Sequence, residues 1–484
     1  MVKPDRTRAA ASGAAESVRP RLLLAALSVV VLTVAVLQTA VVPVLGTIAD
    51  QLGASGVAVS WAVTANLLAA AAATPLLGRL ADLHSKRRVL LGVLVLVLAG
   101  SVLAATTSSL AALITGRVLQ GASFALYPIS VAILRDELPP ERLAGAMAIL
   151  SGTLGFGGGT GLVVTGLLMT GDAGYQRVFW LTTVFTLVVL TVVALVVPRR
   201  RRSADGRIDW LGAAGLAAGL SVALLAITQG NAWGWTSWPT LACAAGAVSV
   251  LTAWWLWERR AAQPLVSTAM LARRPILLTN LATLFVGMGL YFAFLGLTQF
   301  VQNPDIGFGA SVLRASVLFL LPGALTGFVV ALASGRFIDR FGARKVLAVA
   351  AVAGIAGFLC LAFAHSQPWQ VVVAGILTNA YISLGYGALP VLVVGEVDAG
   401  ETGVATGMNA IARTVGSAIA AAAVAVLLGR TGSPTEHGFT VIFLGGAVTA
   451  LLALVLIAAA GSPGRTSDSA LAREESRAMN HEWG

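Results

Sequence analysis

Fourteen times between residues 21 and 460 the chain runs for roughly 20 residues or more with almost no charge, and no other feature limits its fold as severely. The runs fall near 21–46, 58–78, 88–107, 110–135, 143–170, 177–197, 210–228, 239–257, 276–302, 311–336, 345–364, 369–394, 402–428 and 439–460. As a helix, a run of this length matches the hydrocarbon thickness of a bilayer. In hydrocarbon every backbone N–H and C=O must be paired internally, which leaves the α-helix as the element for such runs. Charged residues make up 11% of the chain, against about a quarter in soluble proteins. The first run is long enough to span and lacks a small-residue cleavage pattern, so it is expected to stay as a helix. Cys243 and Cys360 lie inside apolar runs, which points to neither a disulfide framework nor a metal site. No nucleophile and base pair, metal cluster or phosphate loop is visible, so an enzyme is not expected.

The formal charge of +11 is distributed with one bias. With the N-terminus cytoplasmic, 27 of the 32 lysines and arginines fall on the inner segments, and only Arg177, Arg314 and Arg430 fall on outer loops. The remaining two, Arg117 and Arg413, lie within runs. Such asymmetry orients membrane helices, so both termini are expected on the cytoplasmic side and the basic balance reads as topology, with no nucleic-acid partner. Trp233, Trp235 and Trp238 at one end of the seventh and eighth runs, and Trp254, Trp255 and Trp257 at the other, read as interfacial belts.

One polar segment occurs twice. Gly78 to Leu90 reads GRLADLHSKRRVL and Gly335 to Leu347 reads GRFIDRFGARKVL, an offset of 335 − 78 = 257. Adding the offset to the start of the first run reaches residue 278, close to the start of the ninth. The runs therefore divide as six plus six, with two more, inside residues 198–275, inserted between them. The segment resembles the loop signature of the major facilitator superfamily, with Gly78, Leu80, Asp82, Lys86 and Arg87 on its pattern and Ser85 where the family usually has glycine. The fourteen spans narrow the resemblance to the drug:proton antiporter family of that size. It implies an all-α membrane protein of the major facilitator fold, 14 transmembrane helices built as two six-helix bundles plus an inserted pair. The domains are then a disordered leader 1–20, an N-terminal bundle 21–197, a basic linker with the inserted pair 198–275, a C-terminal bundle 276–460 and a disordered tail 461–484. The implied function is proton-coupled export of amphipathic or hydrophobic small molecules, such as drugs or antibiotics, by alternating access. A monomer in a bacterial cytoplasmic membrane is expected, without a cofactor. The alternatives are an importer or lipid or metabolite carrier of the same fold, or a receptor or scaffold that does not transport.

Charge inside a span costs about 2.5–3.5 kcal/mol on insertion scales, so Arg117 and Arg413 are the first candidates for a substrate cavity. Arg117 opens an RxxQG segment resembling the fourth-helix signature of the superfamily, and at helical spacing Arg117, Gln120, Phe124 and Tyr127 share one face. The alternative for Arg117 is a bond to neighbouring backbone carbonyls. In the thirteenth run Thr402, Thr406, Asn409, Arg413 and Ser417 form one polar stripe; in the twelfth Asn379, Ser383, Tyr386 and Pro390 align. Gln38 and Asn66 are lone amides in the first two runs, readable as ligand contacts or as interhelical glue. The fifth run is glycine-dense, and Gly157, Gly161 and Gly166 resemble the family's antiport signature, although Leu162 replaces its proline and Thr165 one of its glycines. No carboxylate lies mid-span: Asp50, Asp136 and Glu396 are near run ends.

The repeated loops are the expected gates. Resemblance to the family implies that Asp82 caps the thirteenth helix and Asp339 the fifth, near Ala144, with Gly78, Lys86, Arg87, Gly335, Arg340 and Arg344 framing them. The alternative is a topological loop whose aspartates bond only neighbouring arginines such as Arg87 or Arg340. The inserted pair carries no charge mid-span and is expected at the periphery.

Overall fold

The computed structural model describes residues 20–41, 44–169, 174–199, 207–311, 314–429 and 435–460. The expected leader, apart from Pro20, the expected tail and part of the basic linker lie outside the described residues. Among the described residues, thirteen helices are long and apolar enough to cross a membrane: α1 Pro20–Thr39, α2 Gly56–Leu83, α3 Lys86–Thr106, α4 Leu110–Glu137, α6 Gln176–Val196, α7 Trp210–Trp233, α8 Trp238–Glu258, α9 Arg274–Gln302, α10 Ala315–Phe341, α11 Ala343–Phe363, α12 Pro368–Val394, α13 Thr402–Gly429 and α14 Glu436–Ala459. With the 29-residue α5, Pro140–Leu168, there are fourteen long helices among the described residues.

Local chemistry explains where they start and bend. The first expected run is split, because α1 stops at Thr39 and a separate short helix, Leu45–Leu52, ends on Gly53 at φ +58°, a conformation that suits a residue without a Cβ. Helix α2 opens on Ser55, whose Oγ accepts from Ala58 N at 3.2 Å. Helix α10 begins with one wide π turn, Ala315–Leu320, just before Pro322, which has no N–H to give to a regular turn.

Each half is packed around an apolar core, one drawn from α1–α6 with Val394 of α12 and the other from α9–α14 with Ala148 of α5. The halves meet along two seams related by the internal repeat: α2 against α13, and α10 against α5. At both seams the first glycine of the repeated loop segment marks a crossing of backbones. A Cβ on Gly78 would lie 2.8 Å from the carbonyl oxygen of Gly403, and one on Gly335 2.5 Å from Cα of Gly145. The inserted pair sits outside the twelve-helix body. Helix α7 packs over the α2–α13 seam, its Leu216 and Leu220 sharing one apolar cluster with Ala71, Ala405 and Ile411, and α8 leans on α7 with Trp254 against Gly215. Asn231 of α7 donates from Nδ2 to the carbonyl of Ala422 on α13 at 3.0 Å. Trp238 is exposed in the manner of an interfacial anchor, whereas Trp254 is buried in this packing and donates to Glu258 Oε1 at 3.1 Å.

The N-terminal half is tied together by a polar hub. The Arg117 guanidinium, 1% exposed, donates from Nε to Ala62 O of α2 at 3.0 Å and from Nη1 to Leu37 O of α1 at 3.1 Å and to Gln120 Oε1 at 2.6 Å. Gln120 passes the network on, donating to Ser101 Oγ of α3 at 2.8 Å, and Asn66 returns it, donating to Arg117 O at 2.8 Å. Gly121 completes the motif by letting α4 lie on α2, since a Cβ there would fall 2.8 Å from Asn66 O. Arg117, Gln120 and Asn66 were expected along a substrate cavity; the structure seals all three inside one half. The common face drawn through Phe124 and Tyr127 is broken by a 3-10 turn, Ala122–Ala125, which winds three residues per turn and rotates the C-terminal part of α4 relative to Arg117. Arg117→Ala removes three hydrogen bonds, at about 0.6 kcal/mol each between membrane helices, together with the packing of a large buried side chain. The purified variant in detergent is expected to be destabilised by about 2 kcal/mol or more, read as a lowered thermal midpoint. An unchanged midpoint would contradict the hub.

Candidate functional site

At one end of the molecule the two halves are held by a carboxylate. Asp82, fully buried in the last turn of α2, accepts from Gly403 N at 3.1 Å and from Val404 N at 3.0 Å. These are the first turn of α13, entered through a 3-10 turn, Ala399–Glu401, so their N–H groups have no partner within the helix. The helix dipole adds about half a positive charge at the same point. Gly403 makes room for the contact: a Cβ there would lie 2.7 Å from Asp82 Oδ1. Around this bond Arg135 of α4 grips the segment leading into α13, donating to Val397 O at 2.7 Å, to Asp398 O at 3.1 Å and to Thr402 Oγ1. Two basic residues of the loop are used within the N-terminal half: Lys86 pairs with Asp136 at 2.6 Å and donates to Ala132 O, while Arg87 donates to Ala194 O of α6. The aspartate of this loop therefore bonds a helix of the other half and none of its neighbouring arginines.

The second copy of the loop lacks this bond. Asp339 is exposed and makes no hydrogen bond among the described residues, with Gly145 opposite it. The cap expected near Ala144 is not made because α5 already starts at Pro140, which puts Gly145 well inside the helix with its N–H consumed. Arg340 lies over the Phe341 ring at 5.3 Å, and the buried Nε of Arg344 has no hydrogen-bond partner among the described residues. At this seam Gly335 and Gly145 let the two backbones approach closely.

Halfway along the molecule, residues from both halves meet. The Arg413 guanidinium carbon of α13 lies 5.5 Å from the ring centre of Tyr127 on α4 and 4.8 Å from that of Tyr386 on α12. Tyr127 hydrogen-bonds Ser151 of α5 at 2.7 Å. Both rings are buried and Arg413 is half-buried. Other expected cavity residues are spent on packing. Asn409 donates to Asn280 Oδ1 and Thr283 Oγ1 of α9, at 2.9 and 2.7 Å, and Ser417 to Gly287 O. Asn379 and Ser383 sit against Gly323 and Gly327 of α10. Phe124 lines a small cavity with Ala70, Thr74, Ala410 and Thr414, and Gln38 is half-buried with no hydrogen bond among the described residues. Of the glycine series in α5, Gly157 and Gly161 face α1, where a Cβ would lie 2.6 Å from Ala35 Cβ and 2.3 Å from Thr39 Oγ1; Gly166 borders open space.

Arg135 and Ser151 were not singled out from the sequence. Arg135 stands in a run-end segment, RDELPPER, where a basic residue looks like any other topological charge, and Ser151 is one small polar residue among the glycines of α5. Among the described residues no group of three or more histidines, cysteines or acids is placed to hold a metal, and every acid on a long helix lies in a terminal turn or next to one.

The model of the Major Facilitator Superfamily matches residues 27–210, 205–421 and 308–480. The tetracenomycin C resistance and export protein of Streptomyces glaucescens is 30% identical over 425 residues, 85% of this chain and 76% of that one. The cephamycin export protein of Amycolatopsis lactamdurans is 30% identical over 413 residues, 83% of each. Among solved structures, the major facilitator transporter FucP in its outward conformation superposes with a TM-score of 0.64 at 15% identity, covering 92% of this chain and 99% of that one. Two six-helix halves joined at paired glycine crossings, and relatives that match most of the chain's length, lead to one assignment: the chain belongs to the major facilitator superfamily and is a multi-pass membrane transporter.

Proposed function

We propose that this transporter exports amphipathic, mostly hydrophobic small molecules across a bacterial cytoplasmic membrane by alternating access, as a monomer driven by the proton gradient. Export is supported by the two relatives that carry export in their names, and the cytoplasmic position of both termini and of the Asp82 end by the strong bias of lysine and arginine to that side. The moving bodies are residues 21–197 and 276–460, with 198–275 as an accessory pair riding on the α2–α13 seam. The observation that carries the mechanism is the bond from Asp82 to the start of α13: one carboxylate of the first half closes on the helix terminus of the second. With that latch made, the cytoplasmic side is shut and the central residues are reached from outside; releasing it reverses access. The repeated loop supplies two glycine crossings as pivots and one charged latch.

In cells expressing the protein, efflux of a panel of amphipathic dyes is expected to exceed that of cells lacking it, and to collapse when the proton gradient is discharged. Equal dye retention in the two strains would overturn export, and efflux indifferent to the gradient would overturn proton coupling. Asp82→Asn keeps a hydrogen-bond acceptor but loses the charge, worth up to about 2 kcal/mol at a partly buried helix terminus. That corresponds to a shift of roughly thirty-fold toward the cytoplasm-open form. In a background lacking Cys243 and Cys360, single cysteines along α13 are therefore expected to label faster from the cytoplasmic side in Asp82→Asn. Equal labelling rates would leave the loop a topological charge.

A further inference from the structure

We propose that the central site takes anionic amphipathic molecules, with a carboxylate or phenolate on Arg413 and the apolar body against Tyr127 and Tyr386. The proposal rests on the export reading and names its substrate class. Of the two arginines within spans, Arg117 has three hydrogen-bond acceptors, whereas Arg413 has none among the described residues. The contacts of Arg413 are two aromatic faces, 5.5 and 4.8 Å away, which stabilise a cation without using its N–H donors. Five donors in a planar fork thus remain available between buried rings, a geometry that suits a carboxylate or a phenolate oxygen.

Nothing nearby competes for that charge. Helix α9 crosses the Arg413 backbone at Gly287 and carries the uncharged Tyr291 near Tyr386, α4 presents Tyr127 with its hydroxyl held by Ser151, and α12 presents Tyr386, whose hydroxyl makes no hydrogen bond among the described residues and is available as a further donor. Acids on the long helices lie in or beside their terminal turns. A cationic amphiphile would meet an uncompensated positive charge, so the site rejects that class. Because Tyr127 belongs to the first half and Arg413 and Tyr386 to the second, a bound anion touches both moving bodies.

The test uses the purified full-length protein and three probes, carboxyfluorescein (anionic), Nile red (neutral) and rhodamine 6G (cationic), with binding followed by fluorescence anisotropy. Wild type is expected to bind carboxyfluorescein at least tenfold more tightly than rhodamine 6G. Arg413→Gln is expected to weaken carboxyfluorescein binding at least tenfold while leaving Nile red binding within about twofold, and Arg413→Lys to restore part of the loss. An unaltered thermal midpoint in Arg413→Gln separates lost recognition from lost fold. Carboxyfluorescein affinity unchanged in Arg413→Gln, or no measurable carboxyfluorescein binding to wild type, overturns the proposal. Reconstitution into proteoliposomes separates it from the export reading. Arg413-dependent binding without net movement of the dye sinks export and keeps the anion site; movement of rhodamine 6G alone, indifferent to Arg413→Gln, keeps export and sinks the anion site.

Discussion

A carboxylate closed out of water needs donors on every side, and Asp82 finds two of its donors on a helix it does not belong to. The start of a helix leaves its first backbone N–H groups without a partner inside the helix. Helix α13 offers that terminus because its regular winding begins at Thr402, one residue before the glycine that crosses Gly78. The crossing and the bond depend on each other: without two glycines the backbones would stand too far apart for the carboxylate to reach Gly403 N and Val404 N. At this end the halves are therefore joined by short polar contacts inside a packed seam, the Asp82 carboxylate on the start of α13 and Arg135 on the segment before it, which are strong when dry and readily traded for water when the seam opens.

The pseudo-symmetry of the two halves makes the departure at the other seam informative. Gly335 and Gly145 repeat the crossing, yet Asp339 stays in the open because α5 began at Pro140 and had already consumed the N–H groups opposite. The second copy of the segment keeps the glycine crossing and leaves the charge without a helix end. The hub around Arg117 has a complementary effect. It fastens α1, α2, α3 and α4 to one another through buried hydrogen bonds, all within the first half and away from the seams.

The architecture was legible in the sequence because hydrocarbon permits so little: run length, the lysine and arginine bias and a 257-residue repeat each act over the whole chain and survive any local irregularity. The site was less so. A polar residue in a span must find a partner, and periodicity shows which face it occupies without showing whether another helix lies there. Asn409 and Ser417 share a stripe with Arg413 but are taken by α9, whereas Arg413, longer, reaches past it to the two tyrosines. The face drawn from Arg117 to Tyr127 assumed an unbroken 3.6-residue winding that the turn at Ala122–Ala125 does not keep. Asp82 and Asp339 were alike in sequence because the difference between them resides in where α13 and α5 begin, a boundary that run lengths locate only to within a few residues.

The interdependence of the glycine crossing and the carboxylate is best tested by distance. Spin labels placed at the exposed positions His84 and Arg340, one on each half at the latched end, report the width of that end by pulsed electron paramagnetic resonance. Wild type should give one narrow, short distribution. Gly403→Ala, whose Cβ would lie 2.7 Å from Asp82 Oδ1 and 2.8 Å from Gly78 O, should add a longer component, because neither neighbour can yield without parting the seam. Superimposable distributions for wild type and Gly403→Ala would show that the halves are held together by something other than this contact.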